Sequence, residues 1–217
     1  MNIIMFDFDG TIANTLKLAD QVYLELSNRY NLKRFTKDEI HELKHLSFQE
    51  RLKMHHINIF KLPRMMRRTR KIVSKIILTT DPFIGMKELI QALKDEGYIV
   101  TIVSSNSKKN IMSFLNHHDF PHFDAILGNA SIFGKDRLIQ KLMKRYPKGK
   151  PLYVGDELRD IISTQEVHCP MVAVTWGYDD KETLIKDEPD YIADSVTELK
   201  EKIHQHFHQT DFPSLEL

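Results

Sequence analysis

The sequence predicts an α/β protein: a Rossmann-like parallel sheet with helices on both faces, plus a small all-α unit inserted after the first strand. Three observations carry this. From Pro82 onward, short apolar runs alternate with helical stretches, the pattern of a parallel sheet covered on both faces. Between the first apolar run and that alternation, residues 14–80 show helical periodicity and no convincing strand. Each patch that could do chemistry falls at the carboxyl end of a predicted strand, where open parallel sheets bind their ligands.

The first strand is Ile3-Ile4-Met5-Phe6, followed by Asp7-Phe8-Asp9-Gly10-Thr11. The apolar run reads as a buried strand, and Gly10 marks the turn that ends it. Alternation along the strand puts Asp7 and Asp9 on one side. Two carboxylates so placed repel each other, and a hard cation such as Mg²⁺ is the usual remedy. Such a pair can also divide its roles, one as nucleophile and one as proton shuttle. Taken alone, Asp-x-Asp-Gly reads better as a plain turn.

Helices are expected next. Leu16, Ala19, Val22, Tyr23 and Leu26 recur at three and four, which makes one apolar helix face. Thr36 and Glu39 fit a capping box at a second helix start. A third helix is predicted near Ser47 to His55 and a fourth from about Pro63 to Leu78. The fourth carries the one local basic cluster, Arg64 to Lys71. On a helix Arg64, Arg67, Arg68 and Lys71 share a face, and Arg70 points elsewhere. That face is either solvated or a reader of a second anionic group on a substrate.

After the helix Lys87 to Glu96, strands are predicted near 98–104, 124–127, 151–155 and 171–175, with a short one at 190–193. The first of these ends in Ser104-Ser105-Asn106-Ser107. Hydroxyls and an amide before a helix can hold a phosphate, or simply cap the helix. Gly134-Lys135 opens the helical stretch Asp136 to Tyr146. Gly155-Asp156-Glu157, with Asp160 after it, puts up to three carboxylates at a helix start. Acids there are also ordinary partners of the helix dipole.

Taken in order, the four patches resemble the haloacid dehalogenase superfamily of aspartate-nucleophile phosphohydrolases. The family pattern is Asp-x-Asp-x-Thr, a strand-end Ser or Thr, a Lys, then Gly-Asp-x-x-x-Asp. Here it is matched by Asp7-x-Asp9-x-Thr11, Ser104, Lys135 and Gly155-Asp156-x-x-x-Asp160. Pro82-Phe83-Ile84-Gly85-Met86, Val174-Thr175-Trp176-Gly177-Tyr178 and Pro189-Asp190-Tyr191 look like the phosphoglycolate-phosphatase-like branch.

The resemblance implies a catalytic core at 1–13 and 81–217 and a helical cap at 14–80. It implies Asp7 as nucleophile and Asp9 as acid and then base. Mg²⁺ would be held by Asp7, the Asp9 carbonyl and Asp156, with Glu157 and Asp160 supporting from outside. Gly10, Thr11, Ser104, Ser105, Asn106 and Lys135 would surround the phosphoryl group. Many members carry an acid where this chain has Asn14, a position that bears on the hinge rather than the chemistry. The implied activity is Mg²⁺-dependent hydrolysis of a small phosphomonoester, with phosphoglycolate the family-based guess. The alternatives are phosphoryl transfer within a sugar phosphate, as in a phosphomutase, and a binding or regulatory protein with weak turnover. The intact Asp7 and Asp9 pair argues against the last of these.

Composition sets the remaining expectations. A formal net charge of +1 argues against a general nucleic-acid-binding role. The single cysteine, Cys169, cannot form an internal disulfide and suits a reducing compartment. No apolar run approaches the length of a membrane span, and the start of the chain does not read as a signal peptide. A cytoplasmic enzyme, monomer or homodimer, acting on a small-molecule phosphate ester is expected. The eleven histidines include His204, His206 and His208 near the end, which read as a solvated helix rather than a zinc site. Trp176 and Tyr178 are expected to pack beside the crevice.

Overall fold

The structure, a computed structural model, describes residues 2–32, 50, 53–54, 57, 59–130 and 134–208. β1 (Asn2–Phe6) lies inside a six-stranded sheet of order β3-β2-β1-β4-β5-β6. The others are β2 (Ile99–Val103), β3 (Ala125–Leu127), β4 (Lys150–Gly155), β5 (Met171–Val174) and β6 (Tyr191–Ala193). All neighbours run parallel; Ile4 stands opposite Val100 on one side and Leu152 on the other. Every predicted strand is present, including the short one, now β6.

Alternation along the strands sorts their side chains into two cores. Ile4, Phe6, Val100, Ile102, Leu152 and Val154 face a layer built from α3 (Met86–Asp95), α4 (Lys108–His117) and α8 (Val196–His208). Ile3, Met5, Tyr153 and Met171 face the opposite layer, built from α5 (Lys135–Arg145), α6 (Leu158–Gln165) and α7 (Lys181–Ile185). α3 and α5 each begin one residue earlier than the sequence suggests. Burial on both faces is why the strands read as nearly unbroken apolar runs.

The insert contributes α1 (Leu16–Tyr30) and α2 (Leu62–Ile76), which pack on each other. α2 tightens into a 3₁₀ turn at Ile77–Thr79, at the end of the span predicted as one helix. The predicted capping box at Thr36 and most of the Ser47–His55 helix lie outside the described residues. The chain leaves after Ala13 and returns at Pro82, where the two segments form an antiparallel bridge. Asn14 N donates to Asp81 O at 2.9 Å, and Thr80 Oγ1 donates to Asn14 O at 2.7 Å. Asn14 is thus held at this crossing by its main chain.

The strand order decides where chemistry can happen. From β1 the chain moves outward to β2 and β3, then returns to β4 on the other side of β1. The connections diverge between β1 and β4, so a crevice opens at their carboxyl ends. Asp7 and Asp156 are the residues that follow those two strands.

Candidate active site

Asp7 continues the β1 ladder, its N–H donating to Val154 O at 2.8 Å. Its Oδ1 accepts from Phe8 N at 2.7 Å and its Oδ2 from Lys135 Nζ at 2.6 Å. Lys135 opens α5, and its ammonium also donates to Asp160 Oδ1 at 2.5 Å. Lys135 and Asp7 are each 1% exposed, so this is a buried ion triad. Burial alone would lower the lysine pKa; the carboxylates of Asp160 and Asp7 outweigh it and hold it above its ordinary value. Removing the cation leaves two buried carboxylates uncompensated. Lys135→Met is therefore expected to lose about 3–5 kcal/mol of stability in metal-free buffer. Denaturant unfolding measures this, and an unchanged midpoint would mean the triad is not held together by charge.

The Asp156 carboxylate is held by two hydrogen bonds. Thr11 Oγ1 donates to its Oδ1 at 2.8 Å, and the backbone N–H of Tyr178 donates to its Oδ2 at 2.8 Å. Two glycines make room for it. Gly10 sits at φ +80°, and a Cβ there would come within 2.2 Å of Asp156 Oδ2. A Cβ on Gly177 would come within 2.1 Å of the same oxygen.

Asp7, Asp156 and Asp160 each bring one carboxylate oxygen to within 4.8 Å of the others. Burial first, then repulsion from Glu157, Asp7 and Asp160, pushes the Asp156 pKa well above the usual carboxylate range. Burial likewise raises Asp160 to about 6 against the pull of Lys135. Asp160 Oδ2 is buried and has no hydrogen-bond partner among the described residues. Hard oxygen donors, excess negative charge and an orphaned acceptor fit a hard divalent cation. Among the described residues the Asp9 side chain is not part of this cluster.

Asp9 faces the crevice and accepts a hydrogen bond at Oδ1 from Asn106 Nδ2 at 3.1 Å. Burial, then the neighbouring Asp7 charge, raises its pKa to about 7. Asn106 is oriented in turn: its N–H donates to Ser104 Oγ at 3.0 Å, and its Oδ1 accepts from Asn110 Nδ2 at 2.9 Å. Asn110 Nδ2 also donates to the Arg70 carbonyl at 3.1 Å. Ser107 caps α4, accepting from Asn110 N at 3.1 Å. The Ser104–Ser107 patch thus both caps a helix and orients a site residue.

Three residues take roles here that the sequence did not assign them. Arg70 reaches from α2 across the crevice, donating from Nε to Ser105 O at 2.9 Å and from Nη2 to Ala130 O at 3.1 Å. Tyr178 does more than pack: besides its N–H on Asp156, its hydroxyl donates to Thr15 Oγ1 at 3.0 Å. Arg159 lines the crevice paired with Glu157, whose Oε2 accepts from Arg159 Nε at 2.7 Å. The Glu157 carboxylate is thus engaged by an arginine.

Of the two readings of the shared basic face of α2, the solvated one fits the structure. Arg64, Arg67 and Lys71 are exposed, and Arg68 pairs with Glu25 on α1. Arg70, set apart by helical spacing, is the one that turns inward. The signal was its neighbours: Met66 at i−4 and Val73 at i+3 belong to the apolar side of the helix. Elsewhere, Cys169 is buried and its thiol is pushed up to about 12, which leaves it unreactive. His204 contacts Glu96 and His206 contacts a backbone carbonyl.

Comparison with known proteins adds to this geometry. A family model described as haloacid dehalogenase-like hydrolase matches residues 4–174. A phosphoglycolate phosphatase of Synechococcus elongatus is 25% identical, covering 94% of this chain and 98% of that protein. The pyrophosphatase PpaX of Bacillus mycoides is 23% identical, covering 92% of this chain and 95% of that protein. Among solved structures, a predicted phosphatase from Clostridium acetobutylicum superposes with a TM-score of 0.79 at 22% identity, covering 94% of this chain and 98% of its own. At that identity the last likeness speaks for the fold.

Proposed function

The chain belongs to the haloacid dehalogenase-like hydrolase family, and from that premise we propose that it is a phosphatase acting on a small phosphomonoester through an aspartyl-phosphate on Asp7. The observation that supports this most is the contrast between two carboxylates two residues apart. Asp7 is clamped by the Lys135 ammonium, while Asp9 stands in the crevice with its pKa raised to about 7. One environment suits a charged nucleophile and the other a proton donor near neutral pH.

Asp7 Oδ2 or its partner oxygen attacks phosphorus, and the ester P–O bond breaks. Asp9 gives its proton to the departing alkoxide, so the leaving group departs as an alcohol. Asp9, now a carboxylate, takes a proton from water as that water attacks the phosphorus of the acyl phosphate. Asp7 is released, inorganic phosphate leaves, and Asp9 is protonated again. Lys135 and the main-chain N–H groups around Ser105 offset charge on the phosphoryl oxygens. Asn106 holds Asp9 toward the reacting centre.

Asp7, the Asp9 carbonyl and Asp156 would hold Mg²⁺, with Asp160 beside them. The cation would supply charge neutralisation between an anionic carboxylate and a dianionic ester. In this reading residues 14–80 form a cap over the crevice, and the names of the relatives put phosphoglycolate first among esters to test. Among the described residues no helix is long and apolar enough to cross a membrane. We place the enzyme in the cytoplasm, where a lone buried thiol is at home.

Metal dependence tests the reading directly. Phosphate release should vanish in excess chelator and return with Mg²⁺, and Ca²⁺ should inhibit, because its higher coordination number lets it engage both Asp7 oxygens. Mg²⁺ at about 100 times its dissociation constant should add about 2.7 kcal/mol of stability, lost in Asp156→Asn. Turnover in chelator would refute the metal assignment.

A further inference from the structure

The crevice between the insert and the strand ends is a cavity of about 460 Å³, within the range of small-molecule sites. Its two walls differ. The core wall carries the polar groups already described: Asp9, Ser105, Asn106, the Glu157–Arg159 pair and Tyr178. On the insert side, α1 contributes Leu18, Ala19, Val22 and Leu26, and α2 contributes Met66 and Val73. Thr15, Tyr23 and Thr69 complete that side. No carboxylate stands among the described residues of the insert wall, and its one cation is Arg70.

That arginine is drawn to the core rim by Ser105 O and Ala130 O, next to the loop that follows β2. Its charge therefore adds to the phosphoryl end rather than to the apolar wall. Arg159, the other cation among the described lining residues, is engaged by Glu157 through two of its nitrogens. A carboxylate on the leaving group, lying along this wall, would meet aliphatic side chains, with Arg159 paired to Glu157 and Arg70 held away at the phosphoryl end. Burying an unpaired charge is costly.

Resting on the phosphatase reading above, we propose that the favoured substrates are phosphomonoesters of an uncharged alcohol with an apolar body larger than glycolate. The phosphoryl group sits at the strand ends, and the alcohol's hydrocarbon part lies along the α1–α2 wall. Selection comes from apolar burial, about fourfold for each fully buried methylene.

The test is steady-state phosphate release by the full chain with Mg²⁺ from ethyl, butyl and hexyl phosphate, beside phosphoglycolate and p-nitrophenyl phosphate. The alkyl esters share one reacting centre and differ only in hydrocarbon length. The expected result is a rise in kcat/KM of about two- to fourfold per methylene, with phosphoglycolate at or below ethyl phosphate. Val22→Thr, close to isosteric, should shrink the hexyl-to-ethyl ratio. A flat or falling alkyl series, an unchanged ratio in the Val22 variant, or phosphoglycolate above hexyl phosphate overturns the apolar-substrate proposal and leaves the phosphatase reading intact. Absence of Mg²⁺-dependent release from every ester, p-nitrophenyl phosphate included, overturns the phosphatase reading and this proposal with it.

Discussion

Asp7→Asn should yield a folded protein whose phosphate release is lower by about 10⁴-fold or more, the scale on which loss of a nucleophile acts in covalent catalysis. The change preserves shape. Asn keeps an oxygen to accept from Phe8 N, and Lys135 keeps Asp160 as a partner. It also removes one of three crowded carboxylates, which offsets part of the loss of the Lys135–Asp7 ion pair in metal-free buffer. An acid-quenched reaction of the wild type should contain a phosphorylated chain, with the label on Asp7, and the variant should contain none. A folded Asp7→Asn protein with near wild-type turnover would exclude attack by this residue.

Asp9→Asn should slow turnover by about 10²–10⁴-fold for an alkyl ester. The effect should be much smaller on formation of the intermediate from p-nitrophenyl phosphate, whose leaving group departs without a proton. The pH profile tests the same role. Asp9 must be protonated to act as acid, so kcat/KM for an alkyl ester should fall as pH rises through about 7. Burial is the larger cause of the raised pKa, and the Asp7 charge the smaller. A cation that offsets Asp7 should move the descending limb to lower pH without abolishing it. The limb should be absent in Asp9→Asn. Equal slowing of alkyl and p-nitrophenyl esters in the first step would remove Asp9 from the role of acid.

The strands and the acids that follow them were legible because both are local features. An apolar run of four residues, then Asp-x-Asp-Gly, needs only its neighbours to be read. The helix boundaries shifted by one residue at α3 and α5, because a helix start depends on its cap. Arg70 shows what locality misses. Helical spacing separated it from the other basic residues but assigned it no partner. Its partners, the carbonyls of Ser105 and Ala130, lie 35 and 60 residues away. Tyr178 is a similar case. Its main-chain N–H on Asp156 depends on the tight approach of Gly177, which no periodicity records.

The sequence by itself determined the α/β class, the strands and the described helices, which follow from side-chain periodicity and turn chemistry acting over a few residues. The acids, the lysine and the strand-end serine were marked as one set by their resemblance to a family pattern, not by periodicity. Tertiary structure alone decided which of them meet. Thr11 reaches Asp156 across 145 positions, and Lys135 joins Asp7 to Asp160. It also decided that Asp9 is desolvated in a crevice while Asp7 is ion-paired two residues away, and that the insert turns an aliphatic wall toward them. Charge pairing and loss of water depend on what surrounds a group in space, and the chain brings those surroundings from several strands and helices at once.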